Sequence, residues 1–225
     1  MSLRQSIYIG TSALIIVILV RIFAIEVFVV PTDSMSPTIK KGEKVIVNKF
    51  RFFIGFPARF PFFGRITNPL RLTISSPRSN DIIVFLRNEQ HNDALYVKRI
   101  YAVPHDTLYH NDTTLWFQAS KNFISYTKTR HYWMDKIQSP LIVPAKGDTL
   151  RINSSTIEWY KNAIEHEGTK ITIMNNIVYF NGKPQNHYIV RNNYYFVIGD
   201  NHTQSSDSRF YGFVPENTIY GNPLL

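Results

Sequence analysis

The sequence predicts a mainly β protein carried on one N-terminal membrane helix, and three observations predict it. One uncharged apolar stretch stands near the N-terminus, short β-branched and aromatic runs recur through the rest, and one later segment has helical periodicity. The 225 residues are enough to bury a sizeable core. Lys and Arg number 25 against 16 Asp and Glu, a net charge of +9, yet only 18% of residues are charged and 44% are hydrophobic, which excludes a disordered basic tail. The chain has no Cys, so disulfide frameworks, thiolate-zinc sites, iron–sulfur clusters and cysteine nucleophiles are excluded together. The basic residues are spread thinly and no nucleic-acid recognition module accompanies them, so the charge predicts attraction to anionic lipid head groups and no nucleic-acid partner.

The membrane helix comes first. No charge occurs from Ser6 to Val20, and continuing to Ile25 gives about 20 residues, enough to cross ~30 Å of hydrocarbon. Arg21 lies near one end, where its long stem brings the guanidinium to the interface. A cleavable signal peptide needs an A-x-A-like site, and Phe23-Ala24-Ile25-Glu26-Val27 has none, so the segment reads as a retained phospholipid anchor. Lys40, Lys41, Lys44, Lys49 and Arg51 follow it, which by short-loop counting would place the large domain in the cytoplasm. That rule fails for long domains, and charge alone leaves the side open.

Val27 to Val30 reads as a short strand stopped by Pro31. Further strands are expected at Lys44–Asn48, Asp81–Leu86, Tyr96–Val103, Ile171–Met174, Ile177–Phe180 and Tyr194–Ile198, with Asn181-Gly182 as a hairpin turn. One helix is expected after Ser155, which forms a capping box with Glu158, and its stripe of Ile157, Tyr160, Ala163 and Ile164 ends at Gly168. Between Phe50 and Phe63, seven Phe are interleaved with Pro57 and Pro61, which argues against a regular element. The segment is either a loop over the core or an apolar lobe resting on the bilayer interface.

Common hydrolase patterns are absent: there is no G-x-S-x-G, no H-E-x-x-H, and the seven His show no ligand spacing. Ser125-x-x-Lys128 lacks the partner motifs that would make it a penicillin-binding site. Three segments stand out instead. Pro31 to Ile39 is a rigid turn that can present Ser34. In Tyr96-Val97-Lys98-Arg99-Ile100 the period-2 alternation puts Lys98 on one face with Tyr96 and Ile100. Gly199 to Arg209 is a dense polar stretch directly after an apolar strand. Singly, each has a bland reading: a proline-rich turn, a strand with a snorkelling lysine, and an Asx-rich loop with an Asp207–Arg209 ion pair.

In this order, together with Gly42–Phe50, Asn80–Phe85, Tyr96–Asp106 and Gly199–Pro215, these segments resemble bacterial signal peptidase I, peptidase family S26, the membrane-anchored serine protease that removes signal peptides from exported preproteins. The resemblance implies a signal-peptidase-like complex β-fold. Residues 1–25 are then tail and anchor, 26–106 and 191–225 the catalytic β-core, and 107–190 a smaller inserted β-rich lobe with one short helix. It also implies a single-pass protein of the bacterial cytoplasmic (inner) membrane, its catalytic domain on the outer, periplasmic face. Ser34 matches the nucleophile and Lys98 the general base, which must be a neutral amine with a pKa lowered towards roughly 7–8 by a desolvated setting. Thr32 and the Ser34 N–H match the oxyanion hole, Ser205 a serine that orients the amine, and Asp207 and Arg209 a supporting pair. Arg99 matches a structural neighbour of the base. No metal or organic cofactor is required. The preprotein would be gripped by strand addition, with small residues selected at its −1 and −3 positions. The sequence departs from the family pattern at Asp33, Ala102, His105 and His202. A carboxylate at Asp33 either raises the barrier or points to water, and the departures motivate an alternative: an impaired homologue that binds exported chains without cleaving them.

Overall fold

A computed structural model describes residues 2–60, 64–66, 69–89, 92–110, 114–117, 123–125 and 140–225. The N-terminal apolar run forms helix α1, Leu3–Phe23, capped by Ser2, whose side chain accepts from the Gln5 N–H. None of its residues is buried in the protein, and it is long and apolar enough to cross a bilayer.

The chain then enters a seven-stranded antiparallel sheet. Its strands in chain order are β1 (Ile25–Val29), β2 (Lys44–Asn48), β3 (Ile82–Glu89), β4 (Asn92–Ala102), β5 (Tyr194–Ile198), β6 (Val214–Pro215) and β7 (Ile219–Leu224). They lie in the order β1-β2-β7-β3-β4-β5-β6. The fold is mainly β, as the sequence predicts. β3 and β4 run further than their apolar residues alone indicate, because the hairpin pairs from Ile82↔Arg99 to Glu89↔Asn92 and carries the polar Arg87, Asn88 and Asp93 with it. Alternation sorts β5 cleanly: Tyr195 and Val197 pack with Phe52, Ile83 and Ile100, whereas Tyr194, Phe196 and Ile198 pack with Leu108, Phe117, Ile157 and Phe180. Buried side chains from residues 102–190 thus share one apolar cluster with β5.

Helix α2, Ile157–His166, buries the stripe the sequence shows, Ile157, Tyr160, Ala163 and Ile164. Gly168, at φ +78°, follows its C-cap, where Gly168 and Thr169 N–H groups donate to the Glu165 and Ile164 carbonyls. The expected capping box is corrected: the N-cap is Thr156, without a side-chain cap bond, and Asn153 Oδ1 accepts the Ser155 and Thr156 N–H groups instead. Asn153, two residues before Ser155, thereby closes an Asx turn ahead of the helix. The Asn181-Gly182 turn closes the expected hairpin, both residues at positive φ.

The Phe-rich segment is more regular than its prolines suggest. Phe53–Gly55 pairs with Arg71–Thr73, and Arg59–Phe60 with Gly64–Arg65. Phe52 and Phe53 are buried, while Ile54, Phe56, Leu70 and Leu72 are exposed, and the Phe56 ring lies 6.2 Å from that of Phe23 at the end of α1. The segment therefore covers the core with one side and bares an apolar edge beside the helix with the other. Phe62 and Phe63 fall outside the described residues, as do Lys128, His91 and His131.

Candidate active site

β1 delivers the chain from α1 to a tight turn. Its last hydrogen bonds run from Val30 N–H to the Glu43 carbonyl and from Gly42 N–H back to Val30, after which Pro31 cannot continue the ladder. The turn is pinned from below by Met35 and Ile39, both fully buried among Val45, Val47, Ile82 and Tyr220, each burial contributing about 2 kcal/mol. Ser34 sits between them and solvent, 7% exposed.

Lys98 reaches the same place from the middle of β4. Val97 packs on one side of the sheet with Val84, and Tyr96 and Ile100 pack on the other with Phe85. The Lys98 side chain follows Tyr96, its Nζ 5.6 Å from that ring's centroid. Lys98 is 3% exposed, and its Nζ lies 2.8 Å from Ser34 Oγ and 2.9 Å from the Val97 carbonyl. Burial pushes the amine down from 10.5 to about 8, against the opposing pull of the Asp207 and Asp200 carboxylates. Thr32 Oγ1 donates to Ser34 Oγ at 3.2 Å. The Ser34 N–H has no acceptor among the described residues.

The polar loop after β5 holds this arrangement from the far side. Asn201 N–H donates to the Ser34 carbonyl at 3.0 Å, and its side-chain amide to the Asp33 carbonyl at 3.2 Å. Asp200 takes a bidentate pair from Arg99, at 2.8 and 2.7 Å, and also accepts from Thr38 Oγ1 at 2.5 Å. The Ser34 turn and the Lys98 strand are thereby tied through one carboxylate. Asp207 and Arg209 form a buried pair at 2.8 Å. Asp207 also accepts the Gly199 N–H, and Arg209 donates to the His202 carbonyl. The loop passes so close that a Cβ on Gly199 would lie 2.2 Å from Ser205 Oγ and 2.4 Å from the Ser34 carbonyl oxygen.

Of the sequence-derived site residues, Ser34, Lys98 and Thr32 meet directly. Asp207 and Arg209 stand behind them, and Ser205 lies within the same few ångströms. Ser205 Oγ is buried yet makes no hydrogen bond among the described residues, so the resting arrangement does not join it to the Lys98 amine. Asp33, beside Ser34, is exposed. His105 takes the left-handed conformation, φ 68°, at a position where the sequence lacks Gly. Thr38, Asp200 and Asn201 position the pair without having been given a role by the sequence reading. Their signal was present: Asp-Asn directly after a buried strand is a loop that offers carboxylate and amide groups to whatever packs opposite.

A buried hydroxyl against a desolvated amine, on a β framework, fits the class of serine hydrolases that use lysine where others use histidine. The family model described as signal peptidase, peptidase S26, matches residues 3–224. A signal peptidase I of Buchnera aphidicola subsp. Baizongia pistaciae is 30% identical, the match covering 94% of this chain and 72% of that one. Another, from Buchnera aphidicola subsp. Acyrthosiphon pisum, is 31% identical over 92% and 69%. A signal peptidase I of Helicobacter pylori strain 26695 is 26% identical over 96% and 78%. A crystal structure of a signal peptidase I from Enterococcus faecalis V583 is similar at 22% identity and a TM-score of 0.30, over 66% of this chain and 97% of that one. The chain belongs to the signal peptidase family, peptidase S26, and is a serine endopeptidase of that type.

Proposed function

We propose that this chain is a membrane-bound endopeptidase that cleaves N-terminal signal peptides from exported preproteins, with Ser34 as nucleophile and Lys98 as general base. The observation that carries the reading is the 2.8 Å contact between the two buried groups. With the Lys98 amine neutral, the Ser34 hydroxyl passes its proton to Nζ as Oγ bonds to the scissile carbonyl carbon. The resulting oxyanion takes hydrogen bonds from the Ser34 N–H and the Thr32 hydroxyl, each donor supplying about 3 kcal/mol. The Lys98 ammonium then protonates the leaving amine as the peptide bond breaks. Water then gives a proton to the regenerated amine as its oxygen bonds to the acyl carbon, and the ester bond breaks as the Lys98 ammonium returns that proton to Ser34 Oγ. Ser205 turns its free hydroxyl to the amine during this cycle, and Asp207 and Arg209 hold the loop that carries it.

Helix α1 anchors the chain in the bacterial inner membrane, with the β domain on the outer face, where exported preproteins emerge. β1 is an edge strand that runs into the Ser34 turn, which suits an extended peptide added by backbone pairing. The non-cleaving alternative is not favoured, because Asp33 is exposed and the Ser34–Lys98 contact is intact. The test is incubation of the detergent-solubilised protein with a preprotein, locating the cut by mass spectrometry. Wild type yields a single product pair, and Ser34→Ala and Lys98→Ala, still folded, yield none. Full activity in either variant overturns the assignment.

A further inference from the structure

At the far end of β1 is a second buried lysine that the chemistry does not use. Lys49, in the turn after β2, has only 2% of its side chain exposed. Its Nζ donates to the carbonyls of Arg21 and Ile22 at 2.8 and 2.9 Å, two last-turn groups of α1 that have no partner within the helix. The same ammonium pairs with Glu26 at 2.8 Å and lies 4.8 Å from the centroid of the Tyr220 ring, while the Tyr220 hydroxyl donates to Glu26. Its backbone N–H bonds to the Ala24 carbonyl at 2.8 Å. Lys49 thus fastens the end of the anchor to β1, β2 and β7 at once, with a positive charge at the negative end of the helix dipole. Burial lowers its amine pKa, with Glu26 working against that shift. A surface ion pair would hold no angle, but a desolvated one with every donor used does.

We propose that Lys49 is a positioning residue that fixes the angle between the membrane helix and the catalytic sheet, and so selects which bond of a membrane-borne substrate reaches Ser34. The proposal rests on the signal-peptidase reading. A preprotein's scissile bond follows its own membrane-embedded apolar segment, so its height above the bilayer is set by that segment. The height of Ser34 is set by α1 and the five residues of β1, about 17 Å of strand. A tilt of about 10° over that lever moves Ser34 by about 3 Å, one residue of an extended substrate.

The test compares two substrates of the full-length protein in liposomes: a preprotein with its apolar segment, and a short soluble peptide spanning only the cleavage site. Lys49→Met is expected to cut the peptide within about two-fold of wild type, while its preprotein cleavage at the native bond falls about ten-fold, with products one residue longer or shorter. Lys49→Arg is expected to restore the single product. Tyr220→Phe keeps the ring beneath Lys49 and removes only the hydroxyl's bond to Glu26, which Lys49 still pairs, and is expected to scatter the products less than Lys49→Met. If Lys49→Met cuts the preprotein at the native bond alone and at the wild-type ratio of rates, or if both activities fall in parallel with the melting temperature, the proposal is overturned. Failure of wild type to cut the preprotein, or cleavage by Ser34→Ala, would instead sink the enzymatic reading on which it rests.

Discussion

At the scale of single residues, the site depends on taking a hydroxyl and an amine out of water together. Ser205 shows the cost of such a site, since its buried hydroxyl has no partner among the described residues in the resting arrangement. An unsatisfied buried hydroxyl destabilises by about 1–3 kcal/mol. Ser205→Ala is therefore expected to raise the melting temperature while slowing preprotein cleavage by about ten-fold, the trade-off of a strained active site. Thermal melting beside a cleavage assay checks both halves, and a drop in melting temperature would show that the hydroxyl is bonded after all. Sequence made the candidate residues legible because each is chemically odd for its place: a Ser in a proline-bounded turn, a Lys on an apolar strand face, an ion pair in a polar loop. It did not reveal the bonds among them. Thr38 and Asp200 are 162 residues apart, and nothing local says that they touch.

At the scale of elements, the turn, the strand and the loop are held in contact by the absence of one side chain. Gly199→Ala is expected to push Ser205 and the Ser34 carbonyl apart, lowering activity by at least about 100-fold and stability by about 1–3 kcal/mol. A cleavage assay with denaturant unfolding checks it, and near-normal activity would show that the loop gives way freely. Helix α2 offers a test of how its start is built. Asn153→Ala is expected to cost about 1 kcal/mol, whereas Ser155→Ala costs little, measured by denaturant unfolding. The capping-box pattern was misleading here because Asn153 Oδ1 takes the Ser155 N–H, one of the two donors the box would use, and the helix starts one residue later, at the Thr156 cap. Strand interiors were legible from alternation and strand ends were not, since pairing across the β3–β4 hairpin extends both past their apolar residues.

At the scale of the whole molecule, one chain joins a bilayer-length helix to a β sheet through a single strand that leads into the Ser34 turn. That order places the Ser34–Lys98 pair one short strand and one turn from the apolar helix, which makes the helix–sheet junction as consequential as the site. The long apolar helix and the mainly β fold were readable from composition and periodicity. The junction was not, because Glu26, Lys49 and Tyr220 lie far apart in sequence and each reads singly as an ordinary surface residue. In the proposed mechanism an uncharged Lys98 takes the proton of Ser34, and the pH dependence of kcat/KM reads that step out. The amine titrates at about 8, and only its neutral form accepts a proton, so the rate should rise about ten-fold per pH unit below that value and level off above it. A profile that is flat or falling between about pH 6 and 9 would contradict the claim.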